Sequence, residues 1–259
     1  MVRPPTPEAL KRWLTRTLRR AGYQLVNVRK MYEFDGLHTV HNASFREDPR
    51  FQSAYQRALQ ASHGVDPQTE WRIHIGLWAA SLASRLPGDF VECGVNAGFL
   101  SSAILSYLDW ESLGKRFFLV DTFEGPVVGQ FSPEEIEAGR LVAIEQALSA
   151  GAYVTDIKRV GENYSEWRRI EIIRGCVPEV LPAIGARQVA FLHLDMNCAY
   201  PEAAALRHFW PYLSTGGVVL FDDYAYFGCV EQTKAIDEAV AALGAEILVL
   251  PTGQGLIVR

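Results

Sequence analysis

The stretch Asp89-Phe-Val-Glu92-Cys-Gly94-Val-Asn96-Ala-Gly98-Phe-Leu-Ser101 decides the fold. A short apolar run ends at Cys93, a turn with two glycines follows, and apolar residues resume at Phe99, so the segment predicts a strand, a tight turn and a helix. Gly94 and Gly98 lack the Cβ that would hold a ligand away from the backbone, as in the first turn of a doubly wound sheet. The turn is neither GxGxxG nor a phosphate loop ending in GK[ST]. What it carries instead is Glu92, two residues before the first glycine. A carboxylate there suits a ligand with a positive end, and S-adenosylmethionine bears both an ammonium and a sulfonium. A plain strand-to-helix turn is the simpler alternative.

Downstream, short β-branched runs alternate with helical stretches, the pattern of a parallel sheet flanked by helices. Strands are expected at Asp89–Cys93, Arg116–Asp121, Ile170–Arg174, Val189–Asp195 and Val218–Asp222, with helices at Phe99–Tyr107, Pro133–Leu148, Pro178–Ile184, Pro201–Tyr212 and Val230–Ala242. Ala245–Leu250 and Leu256–Arg259, joined by Pro251-Thr-Gly-Gln-Gly255, read as a closing antiparallel hairpin. Upstream, Gln68–Leu86 is an apolar-faced helix leading into the first strand. Tyr32–His63, crowded with Tyr32, Phe34, His38, His41, Phe45, Phe51 and Tyr55 but without clear periodicity, reads as a cap over the acceptor site. The expected division is therefore a basic helix plus cap at 1–67 and a ligand-binding domain at 68–259.

The whole chain bounds the reading. Its 259 residues are 49% hydrophobic and 21% charged, which fits an ordinary globular protein, and no apolar run approaches the roughly 18–20 residues of a membrane span. With no secretory leader to be read at the N-terminus, a cytoplasmic location is expected. Cys93, Cys176, Cys198 and Cys229 stand apart with no CxxC pair, which argues against a disulfide framework or a zinc knuckle. Net charge is −5, but residues 1–30 hold eight Lys or Arg against Glu8 alone, leaving −12 on the remainder. That body is no nucleic-acid surface. Within the arm, Pro4–Arg20 predicts an amphipathic helix with Leu10, Trp13, Leu14 and Leu18 on one side and Arg12, Arg16, Arg19 and Arg20 around them. Such a helix can meet acidic lipid or RNA, and docking on the acidic body is the expectation.

Acids mark the strand ends. Asp121 lies 23 residues after Gly98, where a carboxylate can accept the hydroxyls of an adenosine ribose; capping the following Thr122-Phe-Glu-Gly125 loop is the alternative. Gly175-Cys176-Val177-Pro178 supplies a small turn where an adenine could lie. Asp195 and Asp222 are 27 residues apart, room for one crossover helix, so their strands should be neighbours and bring Asp195, Asp222 and Asp223 together. Three converging carboxylates repel one another unless a cation is bound, and an all-oxygen set suits Mg²⁺. Otherwise Asp222 and Asp223 cap a loop and Asp195 alone faces a ligand.

Taken in order, Glu92-x-Gly-x-x-x-Gly98, Asp121-Thr-Phe-Glu-Gly125, Leu192-His-Leu-Asp195, the helix from Pro201 and Gly217-Val-Val-Leu-Phe-Asp-Asp-Tyr224 resemble the macrocin O-methyltransferase family from about Gln68 to the C-terminus. These enzymes use S-adenosylmethionine and Mg²⁺ to methylate sugar hydroxyls in antibiotic biosynthesis. The resemblance implies a class I methyltransferase (Rossmann-like) seven-stranded sheet of order 3-2-1-4-5-7-6, with an N-terminal helical cap. It implies metal binding by Asp195, Asp222 and Asp223. Glu92, Gly94, Asn96, Gly98, Asp121, Thr122, Cys176 and Val177 are the residues expected around the cofactor. The family's sugar methyltransferases place a proton acceptor two or three residues past the first metal acid, where this chain has Asn197 and Cys198. Asn197 is no base; Cys198, Tyr200 and His193 are the remaining candidates, with His38 and His41 in the cap.

The expected function is O-methylation of a small hydroxylated acceptor, a sugar or another natural product. The alternative is a weak or inactive S-adenosylmethionine-binding relic serving as a partner protein. A nucleotide-sugar oxidoreductase would need GxGxxG and Tyr-x-x-x-Lys, and the chain has neither. No nucleic acid and no stable membrane insertion are expected, and a homo-oligomer is left open.

Overall fold

The structure, a computed structural model, describes residues 6–24 and 31–259, so residues 4 and 5 of the expected first helix lie outside the described residues. The chain divides into two compact units, Met1–Ala43 and Ser44–Arg259. In the first, α1 (Pro7–Arg20) begins at Thr6, whose hydroxyl accepts from Ala9 N. None of its residues is buried, and Leu10, Trp13 and Leu14 are 51%, 61% and 40% exposed. β1 (Tyr32–Phe34) and β2 (Leu37–Thr39) form a hairpin closed by Asp35-Gly36, both at positive φ as a two-residue turn requires.

The second unit opens with α2 (Pro49–Ala61) and α3 (Glu70–Ala83), followed by β3 (Asp89–Cys93), α4 (Phe99–Tyr107), α5 (Trp110–Leu113) and β4 (Phe117–Asp121). Then come α6 (Pro133–Glu137), α7 (Arg140–Ser149), α8 (Ile157–Asn163), β5 (Ile170–Arg174), β6 (Val189–Leu194) and α9 (Ala199–Phe209). β7 (Leu213–Phe221), α10 (Val230–Ala242), β8 (Leu248–Val249) and β9 (Gly255–Val258) complete it. The sheet runs β5-β4-β3-β6-β7-β9-β8, with only β9 antiparallel to its neighbours. Renumbered within the sheet, this is 3-2-1-4-5-7-6, the expected class I methyltransferase order. No described helix is long and apolar enough to cross a membrane.

Strand alternation sorts the core into two layers. Phe90, Phe191 and Leu220 face a cluster built with α2, α3 and α4. Val91, Cys93, Leu192, Leu194, Val219 and Phe221 face α9 and α10. Continuing the first parity along each strand puts Glu92, His193 and Asp222 on the α3 side, which sets up the acid cluster described below.

Three expectations change. Within the unit that begins at Ser44, Pro49–Ala61, expected to lack periodicity, is a helix packed on α4. Its buried stripe is Phe51, Ala54, Tyr55, Ala58 and Ala61, helical spacing carried mostly by alanine and therefore faint in the sequence. Phe45 stacks on His74 at 4.0 Å, and Phe51 and Tyr55 are core, so these aromatics hold helices together. The expected helix 133–148 splits at Gly139, which sits at φ +82°. Of Pro178–Ile184 only a 3₁₀ turn at Leu181–Ala183 forms, since Pro178 and Pro182 each lack an amide donor.

Candidate active site

A cleft opens at the carboxyl ends of β3, β4, β5 and β6. Gly94, Asn96, Asp121, Thr122, Cys176 and Val177 line it, six of the eight residues expected around a cofactor, together with Asp195 and Asn197. Its outer wall is the β4–β5 crossover, through Pro126, Val127, Gln130 and Tyr153. No residue of 44–63 lines it, so the expected aromatic cap contributes nothing to this cleft from that part of the chain. Tyr153 and Gln130 left no signal in the sequence, because a long crossover does not announce where it folds back.

The glycine turn is shaped by the protein itself. Gly94 is at φ +89°, and a Cβ there would run into the carbonyl oxygen of Asp195 where the ends of β3 and β6 meet. Gly98 is at φ +82° and its missing Cβ makes room for the Tyr164 hydroxyl, which is paired with Ser101 Oγ at 2.7 Å. Gly98 therefore serves packing, and it does not line the cleft. Asp121 Oδ2 accepts from Val95 N and Asn96 N at 2.7 and 2.8 Å, while Oδ1 accepts from Phe123 N at 2.7 Å. Its carboxylate thus ties the glycine turn to its own loop and still borders the cleft. Asn96 Oδ1 accepts from Val154 N, and its Nδ2 donates to Ala152 O, which fixes the chain on either side of Tyr153.

Glu92 is 2% exposed and does not line the cleft. Its Oε1 lies 3.0 Å from Nδ1 of His193 on the next strand, and His193 Nε2 lies 3.8 Å from Asp222 Oδ1, an ion pair longer than a hydrogen bond. Burial works against a charged imidazole, but the two flanking carboxylates outweigh it and His193 is pushed up to about 10. The row Glu92–His193–Asp222 is thus a buried electrostatic link between strands.

At the end of β7, Arg72 of α3 supplies the cation. Its Nη1 donates to Asp222 O and Oδ2, both at 2.8 Å, and to Asp223 Oδ1 at 3.1 Å, with the guanidinium 4.5 Å from the centre of the Tyr226 ring. Gln254 Nε2 donates to Asp222 Oδ1 at 2.9 Å. Burial and the neighbouring charges of Asp222 and Asp223 raise Asp195 well above the carboxylate range, so the three acids do crowd one another. Yet among the described residues no three His, Cys, Asp or Glu are arranged to hold a metal ion. Arg72 could have been suspected from the sequence: it lies in phase with Gly76 and Ala79 on the buried stripe of α3, where a lone charge demands a partner.

The loop after Asp195 is pinned from both sides. Glu202 accepts from Met196 N and Gln232 Nε2, and Glu135 accepts from Ala199 N and Ser132 N. Asn197 Nδ2 donates to Asp195 Oδ1 at 3.1 Å, and Arg140 of α7 donates to Asn197 O. None of the expected bases in the second unit is placed to accept a proton from the cleft. Burial pushes the Cys198 thiol up to about 12, and it donates to Gln130 O. His193 already carries its proton, and Tyr200 is 53% exposed and outside the cleft lining. His38 and His41 belong to the first unit.

Known proteins were compared with this site in view. The relatives include the 8-demethyl-8-(2,3-dimethoxy-α-L-rhamnosyl)-tetracenomycin-C 4′-O-methyltransferase of Streptomyces olivaceus, 29% identical over 157 residues, 57% of each chain. The mycinamicin III 3″-O-methyltransferase of Micromonospora griseorubida is 24% identical over 59% of this chain and 61% of its own. The alignments thus span about three fifths of these relatives' lengths. Among solved structures, the O-methyltransferase NovP superposes with a TM-score of 0.65 at 18% identity, covering 84% of this chain and 99% of that one. The calicheamicin methyltransferase CalS11 gives 0.53 at 15%, covering 91% and 97%, and both likenesses are of fold. A family described as "Methyltransferase domain" matches residues 91–224, just over half of the sequence and the stretch that runs from β3 to the loop after β7. The kinship expected from the ordered strand-end motifs holds, and the chain belongs to the methyltransferase-domain family.

Proposed function

We propose that this protein is a cytoplasmic enzyme that transfers the methyl group of S-adenosylmethionine to a hydroxyl oxygen of a small acceptor, a sugar or another natural product. One observation carries the reading: a single cleft runs past the neighbouring strand ends of β5, β4, β3 and β6, so that Asp121, the glycine turn, Asp195 and Asn197 all line it. The cofactor would lie over β3 and β4, with Asp121 against the ribose and Cys176 and Val177 against the adenine, which puts its methyl end towards Asp195. Asn197 and Tyr153 would orient the acceptor as hydrogen-bonding groups. Burial and the nearby Asp195 charge push the Tyr153 phenol up to about 12, so it donates at neutral pH.

Oxygen becomes a good nucleophile only as it loses its proton. By donor type Asp195, Asp222 and Asp223, all carboxylates, suit a divalent ion such as Mg²⁺, although they are not arranged around one here. When bound, such an ion supplies positive charge against the acceptor oxygen as it ionises. Arg72 would keep Asp222 and Asp223 in place around it. A second reading is favoured by the Arg72 contacts, because that guanidinium already fills the space between two of the acids. There Asp195, which lines the cleft and is oriented by the amide of Asn197, takes the proton from the acceptor at its ionised carboxylate.

Incubating the purified protein with methyl-labelled S-adenosylmethionine and a panel of glycosides and diols tests the function. Labelled product is expected. Binding of NADH with none of S-adenosylhomocysteine would overturn the class, and cofactor binding without transfer to any acceptor would favour the relic. Excess EDTA separates the two mechanisms: loss of turnover supports the ion, and full turnover supports Asp195 with Arg72.

A further inference from the structure

We infer that α1 is a docking helix for anionic lipid surfaces, an interaction the methyltransferase fold does not itself require. Going around the helix at its 3.6-residue period, Leu10, Trp13, Leu14 and Leu18 fall on one arc with Thr17, and Lys11, Arg12, Arg16, Arg19 and Arg20 spread over the rest with Glu8 and Thr15 among them. The apolar arc is open, with Leu10, Trp13 and Leu14 between 40% and 61% exposed and no residue of the helix buried. Three large apolar side chains on one arc, exposed beside a mainly cationic one, are what a helix lying in a headgroup layer presents: the apolar arc enters the acyl boundary and the arginines meet phosphates. Trp13 lies at the edge of the apolar arc, beside Arg20, and tryptophan favours the membrane–water boundary because its ring is apolar and its N–H is polar.

Charge selects among occupants. A second copy pairing through α1 would bring two arcs of five Lys or Arg together, which repel. An anionic headgroup layer matches both arcs at once. The acidic remainder of the chain, at −12, is repelled by such a surface, so the protein would be held reversibly by this one helix and would not lie flat upon it.

Sedimentation of the full-length protein with vesicles tests this, comparing phosphatidylcholine alone with phosphatidylcholine mixed with phosphatidylglycerol. Binding to the mixed vesicles only, released by added salt, is expected. The double variant Arg12→Glu/Arg16→Glu should lose roughly tenfold or more of that binding, since each basic residue near an anionic surface contributes about one kcal/mol. Trp13→Glu/Leu14→Glu should lose it as well, with a melting temperature equal to wild type because these side chains are exposed. The inference is overturned if the wild type does not sediment with the mixed vesicles, or if either variant binds as well as wild type. It is equally overturned if the only ligand found is RNA, or a second copy released by Leu14→Glu.

Discussion

Asp121 and Asp222 stand at the ends of two parallel strands of the same sheet, yet their charges are compensated by different means. Asp121 is held by backbone amides from residues 95, 96 and 123, all near it in sequence. Asp222 is held by side chains from far away: Arg72, 150 residues upstream, Gln254, and His193 on the neighbouring strand. Backbone amides cannot leave, so the Asp121 end is rigid whatever fills the cleft. The Asp222 end is a balance of buried charges, each dependent on the others, and it can respond when a cation or an acceptor arrives.

If that contrast is right, the largest effect belongs to Arg72. Arg72→Met takes the guanidinium from Asp223 and leaves Asp222 with only Gln254 and His193, in a largely buried site, and should cost about 3–5 kcal/mol in urea unfolding. Added Mg²⁺ should restore part of the loss if the acids can hold it, whereas an unchanged midpoint with Mg²⁺ would leave Arg72 as the cation that joins Asp222 to Asp223. Asp121→Ala should cost less stability, roughly 1–3 kcal/mol, the penalty of leaving backbone donors without a partner rather than a buried charge. Calorimetry should also show S-adenosylhomocysteine binding weakened by tenfold or more, the loss of a charged hydrogen bond worth about 1.5–3 kcal/mol. A variant that is less stable but binds as before would make Asp121 a loop cap alone.

Smaller effects sharpen the same comparison through pH. Burial pushes Glu202 up to about 8, above its value in an unfolded chain, so the folded protein holds this proton more tightly. The resulting stability is complete below the usual glutamate range and is lost as pH rises from there through about 8. Stability measured across pH 5 to 9 should therefore fall for the wild type, and Glu202→Gln should flatten the decline. The smallest change is expected at Cys198. Cys198→Ser should leave the pH profile of methyl transfer where it was, against the roughly 10²–10⁴-fold loss that removal of a general base would bring.

How far the sequence could be read follows from the same distinction. Five strands of the sheet, the helix Phe99–Tyr107 and the closing hairpin were legible because their signals are local: β-branched runs, glycine turns and apolar periodicity within a dozen residues. The acids at strand ends were legible for the same reason, since a carboxylate that ends an apolar run marks the rim of a parallel sheet. Helix α2 was missed because alanines carry its stripe, and the split at Gly139 because a helical pattern on both sides hides a single left-handed residue. By itself the sequence determined the sheet and which of its ends could hold a ligand. Only the tertiary structure decided what each of those acids meets. Hydrogen bonds within a turn are written in adjacent residues. The pairing of Asp222 with Arg72 exists because α3 folds over the end of β7, and the crossover reaches the cleft only when β4 and β5 are side by side.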